Sequence, residues 1–183
     1  MSYSFDTKKL IEHWYNNGTD NLNNAKKNSN SEEGNCYYFD AFISYWICFN
    51  AIYSGIDGYA SKSEKEQIKE FFRRNNRVFH DATFVKTHQA FEYFKNHTIE
   101  NLKPDMEIKN TADYRVKLSN KDQSVPNLIK VMIDCIYIVR CNLFHGRKMP
   151  MDDKDFFVVR YSADFMHDFL KFYIPKQFRD IKI

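Results

Sequence analysis

Glycine and proline are scarce in this chain of 183 residues, which contains only five Gly and four Pro. A domain built from many short strands needs tight turns, and tight turns rely on these two residues. The composition therefore argues against an all-β fold. The chain also lacks a glycine-rich phosphate-binding loop and an internal repeat, so nothing in it indicates a nucleotide-binding loop or a repeat array.

Cysteine is the next scarce residue. Cys36, Cys48, Cys135 and Cys141 are the four that occur, none of them forms a C-x-x-C pair, and three lie in apolar stretches. This pattern predicts buried free thiols in a reducing compartment, and it favours neither disulfide bridges nor zinc ligands. We expect no metal ion and no cofactor.

Long apolar segments are also missing. The most apolar run, residues 41–53, is interrupted by Ser44 and Asn50, and it is shorter than the ~18 to 20 residues that span a membrane. The first ten residues contain no apolar leader. The net charge of +3 is too small to indicate nucleic-acid binding by itself. We expect a soluble cytoplasmic protein with no membrane partner.

Aromatic side chains, in contrast, are abundant: 17 Phe and 12 Tyr occur in a chain that is 43% apolar and 28% charged. These fractions are typical of a globular protein, and the length predicts a single domain over residues 1–183. So many rings require a thick core or a large buried interface.

Hydrophobic periodicity predicts helices along most of the chain. A first helix begins near Ser4 or Asp6, and a buried helix covers residues 37–54, with Gly55 as its left-handed C-terminal cap. Residues 103–124 form a polar insertion without periodicity, which predicts a loop. The remaining helices are predicted at 62–75, about 87–94, 126–145 and 152 to about 174. The expected fold is an all-α bundle of five or six helices.

The predicted helix 126–145 carries the residues that are candidates for catalysis or binding. At ~100° per residue, His145 lies in a narrow polar stripe, whereas Arg140 falls in the apolar sector about 140° away. A guanidinium stays charged, so its burial requires a partner. Three kinds of partner fit: a core carboxylate such as Asp40, a subunit interface, or a bound anion.

The end of this helix reads RCNLFHGRK over residues 140–148 and follows the apolar lead-in IYIV. This string resembles the R-x4-6-H signature of HEPN domains, the all-α RNases and RNA-binding modules of toxin–antitoxin, CRISPR and other defence systems. The upstream segment FISYWICFNAIYS resembles the first long helix of stand-alone bacterial HEPN proteins, and the amphipathic last helix also fits. The resemblance covers about residues 36–174.

The resemblance implies a HEPN-like bundle that works as a metal-independent endoribonuclease. In that reaction the RNA 2′-OH attacks the adjacent phosphate and leaves a 2′,3′-cyclic phosphate and a 5′-OH. His145 would act as general acid or base, Arg140 would bind the non-bridging phosphate oxygens, and Asn142 would orient the phosphate or His145. The implied RNA-binding residues are Arg147, Lys148 and Asn50.

The resemblance also implies partners. The site would be composite, with one motif from each subunit of a homodimer formed through the motif helix. RNA is the expected substrate, and an antitoxin or another defence-system protein is the expected partner. One branch of the family extends the motif to R-x4-H-x-Y, whereas residue 147 here is Arg. This difference argues against pairing with the antitoxin that modifies that Tyr.

Simpler interpretations stay open for the same residues. Arg140 could pair with a core carboxylate, and His145 could be a helix-end cation that interacts with the macrodipole. Asn142 and Asn50 could be polar core residues with satisfied hydrogen bonds, and Lys148 a plain surface residue. The alternative function is a HEPN-like module that binds RNA, a nucleotide or a protein without cleaving it. A third possibility is a structural helical dimer with no ligand.

Overall fold

The computed structural model describes residues 3–29, 31–55, 61–100, 111–120, 122–145, 149–150 and 152–181. Every regular element in these ranges is helical, which confirms the all-α prediction. The seven α-helices are α1 (Phe5–Lys27), α2 (Glu32–Ser54), α3 (Glu64–Asn75), α4 (Gln89–Asn96), α5 (Ala112–Ser119), α6 (Val125–Phe144) and α7 (Asp153–Gln177). Two 3₁₀ helices, Asn76–Asp81 and Thr83–Thr87, connect α3 to α4.

Helix α5 lies inside the segment 103–124, so the prediction of a loop was wrong for this part of it. The buried side chains of α5 are Tyr114 and Leu118, one turn apart. Two anchors are too few to produce a recognisable helical period. They suffice because α5 packs against α4 and α6. Residues 101–110 of the predicted insertion lie outside the described ranges.

Serine caps fix where several helices begin. The Ser31 hydroxyl accepts a hydrogen bond from the Gly34 N–H at 3.1 Å, so α2 begins at Glu32, earlier than the predicted residue 37. Ser63 and Glu66 form a reciprocal capping box at the start of α3. Such caps satisfy N–H groups that have no partner within the helix.

Gly55 ends α2 without the left-handed conformation that the sequence predicts. Its φ is −72°, a value that any residue can adopt. A Cβ at this position would lie 2.7 Å from a ring carbon of Tyr3, whose hydroxyl donates to the Ile52 carbonyl at 2.9 Å. The glycine is therefore required by the close approach of an aromatic ring, not by backbone geometry.

One apolar cluster of buried residues runs from Ile11 in α1 to Ile181 after α7. Helix α2 lies at its centre, packed against α1 on one side and α7 on another. The Phe49 ring of α2 makes edge-to-face contacts with Phe71 at 5.1 Å and with Phe169 at 5.4 Å. This arrangement is favourable for aromatic pairs. The abundant aromatic side chains thus build a thick core.

The cysteines follow the prediction with one exception. Cys48, Cys135 and Cys141 are buried free thiols, as predicted, but Cys36 is exposed. Cys36 lies near the start of α2, on the outer face between buried Gly34 and buried Tyr38. The prediction was wrong there because the first turns of α2 bury only one side.

Helices α2 and α6 are the most apolar segments of the fold. Neither these two nor any other helix of the described residues combines the length and the apolar character needed to cross a bilayer. This finding agrees with the expectation drawn from the interrupted run at 41–53.

Helix α6 positions the candidate site. It packs against α5, α4, α7 and the 3₁₀ helix Asn76–Asp81. Pro126 lies in its first turn, as predicted, and His145 forms its C-terminal cap. The predicted stop signal, Gly146, lies outside the described residues.

Candidate active site

Arg140 near the end of α6 has the partner that its burial requires. Its Nη1 lies 3.2 Å from Oε2 of Glu64, the first residue of α3, and the side chain keeps 24% of its exposure. A carboxylate partner was one of the predicted kinds, but Asp40, the example suggested by the sequence, is not that partner. Asp40 is exposed on α2, whereas α3 brings Glu64 to the guanidinium.

Two aromatic rings flank the same guanidinium. Its central carbon lies 4.8 Å from the ring centroid of Phe144 and 5.9 Å from that of Trp46. Contacts of this kind attract a cation to the face of a ring. Arg140 Nε is buried and makes no hydrogen bond. A guanidinium carries five N–H donors, and the described residues engage Arg140 in one ion pair, so most of its donors are not used.

A hydrogen-bonded relay holds Glu64 from behind. The Tyr53 hydroxyl donates to Glu64 Oε1 at 2.5 Å, and Asn50 Nδ2 donates to the Tyr53 oxygen at 2.6 Å. Burial, and then the bond to Glu64, raises the pKa of Tyr53, so its hydroxyl stays protonated and remains a donor. The relay Asn50–Tyr53–Glu64–Arg140 therefore orients the cation from the core of α2.

Asn50 belongs to this relay. Its side-chain N–H₂ is already bonded to Tyr53 inside the protein, which favours the interpretation as a satisfied amide. It is separated from the Glu64–Arg140 ion pair by one residue, Tyr53. Its RNA contact stays a prediction.

Asn142 faces a different neighbour. It is 1% exposed, and its Nδ2 donates to the backbone carbonyl of Glu100 at 2.7 Å. This bond ties α6 to the segment that follows α4. The geometry favours the interpretation of Asn142 as a core amide bonded to backbone. The role of orienting a phosphate or His145 stays a prediction.

His145 is the exposed end of the motif. Its backbone N–H bonds to the Cys141 carbonyl at 3.2 Å and closes the last turn of α6. Its imidazole makes no hydrogen bond and no ion pair with the residues that the structure describes. Arg147 and Lys148, the predicted RNA-binding residues, lie outside them.

The structure thus brings Arg140 together with Asn50, links both through Tyr53 and Glu64, and leaves Asn142 with Glu100. Sequence reasoning missed Tyr53 and Glu64. A signal existed for Tyr53, since it follows Asn50 by three residues in an apolar helix and therefore shares its face. Glu64 is marked only by its place after the capping serine.

No three His, Cys, Asp or Glu side chains among the described residues form a group that could hold a metal ion. Comparison with known proteins found no matching family model, no matching curated protein and no matching solved structure. Function must therefore be argued from the chain's own residues.

Proposed function

We propose that this protein is a metal-independent endoribonuclease of the HEPN type. The observation that carries the proposal is the end of α6, where an unengaged, exposed imidazole follows a positioned guanidinium by five residues. Arg140 is held by Glu64 but retains unused donors. His145 is open to solvent. These are the two groups that RNA cleavage without a metal requires.

The chemistry divides between these two side chains. Histidine changes charge between about pH 5 and 8, so His145 can remove the proton of the 2′-OH or donate one to the leaving 5′ oxygen. The 2′ oxygen then attacks the phosphorus and displaces that 5′ oxygen. Arg140 forks onto the non-bridging oxygens, where negative charge accumulates. The products are a 2′,3′-cyclic phosphate and a 5′-OH.

A homodimer formed through α6 would complete this site. Around the end of α6 and the start of α7, three large apolar side chains are exposed: Phe144 by 50%, Met149 by 63% and Phe157 by 40%. Such residues are common at the centre of an interface. With two copies, the Arg140 and His145 of both subunits would face one RNA. Arg147 and Lys148 would add phosphate contacts.

The biological setting follows the same proposal. The substrate is RNA in the cytoplasm, and the activity belongs to a defence or toxin–antitoxin system. A toxin of this kind needs restraint, so we infer an antitoxin or another defence-system protein as the partner. Position 147 holds Arg, and control by modification of a Tyr at that position is not part of the proposal.

The decisive experiment measures cleavage and binding of one single-stranded RNA by one protein preparation. Cleavage should persist in EDTA and fail on RNA with 2′-deoxyribose at the cut position. The substitution His145→Ala should slow cleavage by at least about a hundredfold and leave RNA affinity nearly unchanged, since affinity rests mainly on phosphate contacts. The matched control is His13→Ala, an exposed histidine on α1, which should cleave like wild type.

Cleavage that vanishes in EDTA and returns with magnesium would exclude this mechanism. A monomer at micromolar concentration by light scattering would exclude the composite site. Equal loss of cleavage in the His145 and His13 variants would show that the effect is not specific to the motif.

The alternative function is a HEPN-like module that binds RNA, a nucleotide or a protein without cleaving it. The pairing of Arg140 with Glu64 and the bond of Asn142 to Glu100 favour it, because each accounts for a motif residue without any substrate. Under this alternative the wild type binds RNA and never cuts it, in EDTA or with magnesium.

A further inference from the structure

A polar pocket elsewhere in the fold shares no residue with the Arg140 site. It has a volume of about 310 Å³, which is at the small end of ligand-sized pockets. Its walls come from the end of α1, the turn before α4, and α7. The proposed ribonuclease chemistry uses none of these elements' side chains.

Two carboxylates face this pocket. Asp164 and Asp168 are four residues apart on α7 and therefore lie on one face of the helix, one above the other. Lys26 of α1 is the one lysine among the pocket's described lining residues. With neutral histidines, the lining carries more negative than positive charge.

Two histidines fix Asp168. His167 Nδ1 lies 2.8 Å from Asp168 Oδ1, and His88 Nε2 lies 3.5 Å from Asp168 Oδ2. His88 Nδ1 accepts a hydrogen bond from the Ala90 N–H at 3.1 Å, so its proton is on Nε2 and points toward α7. The bond from His167 lowers the pKa of Asp168. Asp168 is therefore a positioned, ionised carboxylate.

Asp164 is the less firmly held of the two carboxylates, because Lys26, Arg160 and His88 act on it by charge alone. Among the described residues no donor makes a hydrogen bond to it, and its closest cation, Lys26 Nζ, lies 3.9 Å away on a side chain that is 56% exposed. The Asp164 side chain itself is only 27% exposed. Its burial raises its pKa, which is the expected sign when a carboxylate loses water without gaining donors. A partly buried carboxylate of this kind can accept hydrogen bonds from a ligand's N–H groups.

We propose that this pocket binds a small organic cation, an aliphatic ammonium or guanidinium compound, whose charged group bonds to Asp164 and Asp168. The phenyl ring of Phe84 and the phenol of Tyr161 line the same pocket and can pack against the ligand's methylene groups or its cation. An anion is disfavoured by the two carboxylates. A larger ligand is disfavoured by the volume.

The test is a calorimetric titration of the full chain with agmatine and with 1,4-diaminobutane at constant ionic strength. Both should bind. The matched ligand is 1,4-butanediol, which has the same carbon chain without the charges and should not bind. Equal heats for the diol and the diamine, or no binding of either cation, would overturn the proposal.

Two pairs of variants locate the binding. The substitution Asp164→Asn should weaken binding about tenfold or more, because a charge-assisted hydrogen bond is lost, whereas Asp20→Asn on the exposed face of α1 should have no effect. Removing the competing lysine with Lys26→Met should tighten binding about threefold. The neighbouring exposed residue gives the charge-matched control Lys27→Met, which should bind like wild type.

If circular dichroism shows that Asp164→Asn does not fold, the comparison of Lys26→Met with Lys27→Met tests the site by itself. Affinity that is the same in Lys26→Met and Lys27→Met would overturn the proposal. So would affinity that is the same in Asp164→Asn and Asp20→Asn.

Discussion

Arg140 and Asn142 are two residues apart on α6, and they face surroundings of opposite character. Arg140 lies between aromatic rings, makes one ion pair and remains 24% exposed. Asn142 is 1% exposed and gives its N–H₂ to the backbone of Glu100. Arg140 is held in place by Glu64 and keeps N–H donors that no described residue uses. Asn142 is committed to the fold. Polar residues of one motif thus need separate tests for stability and for chemistry.

The largest effect on stability is expected at Asn142. The substitution Asn142→Ala removes a buried polar side chain together with its hydrogen bond to the Glu100 carbonyl, which should cost about 2 kcal/mol of unfolding free energy. The control is Asn127→Ala on the exposed face of the same helix, with little change expected. Urea denaturation measures both. A variant with normal stability and no cleavage would instead place Asn142 in the chemistry.

A smaller effect is expected in the relay behind Arg140. The substitution Tyr53→Phe removes the hydroxyl that joins Asn50 to Glu64 and should cost about 1 kcal/mol. Helix α2 offers a matched control, since the hydroxyl of Tyr37 donates to Glu33 at 3.0 Å in an exposed hydrogen bond between the same residue types. We expect Tyr37→Phe to be nearly neutral, because exposed bonds are replaced by water. Equal losses in thermal or urea unfolding would mean that the relay contributes no more than a surface contact.

The smallest effect on stability is expected at Glu64. The substitution Glu64→Gln keeps an acceptor for Tyr53, and the partly exposed ion pair is worth less than about 1 kcal/mol. RNA affinity should rise a few-fold, because phosphate no longer competes with a carboxylate for Arg140. Fluorescence anisotropy with labelled RNA checks this against Glu33→Gln, an exposed acid on α2. Unchanged or weaker RNA binding in Glu64→Gln alone would indicate that Arg140 does not meet the phosphate.

Much of the fold was predictable because long helices leave a clear hydrophobic pattern in the sequence. Helices α2, α6 and α7 carry continuous apolar positions, and α6 also has a clear start signal in Pro126. Helix α5 was not predicted because two anchors, Tyr114 and Leu118, produce no period. The conformation of Gly55 was not predicted either, since Tyr3, which makes the glycine necessary, is more than fifty residues earlier in the chain.

The candidate site shows the same limit. The sequence predicts that Arg140 needs a partner, because a guanidinium stays protonated even on the apolar side of a helix. The sequence does not predict which carboxylate pairs with Arg140, because the partner depends on how α3 packs near the end of α6. Asp40 and Glu64 are both acidic, but only Glu64 begins a helix whose first turn meets the end of α6. Local patterns predict requirements, and the packing of helices decides how they are met.

The distribution of thiols offers a practical test of the proposed dimer. Cys36 is exposed, whereas the other three cysteines are buried, and burial raises the pKa of Cys48 and Cys135 so that their reactive thiolate forms are rare. A maleimide spin label should therefore attach to the native chain at one position, near the start of α2. Two associated copies then carry two labels, and their dipolar coupling reports the spacing between subunits without any engineered cysteine.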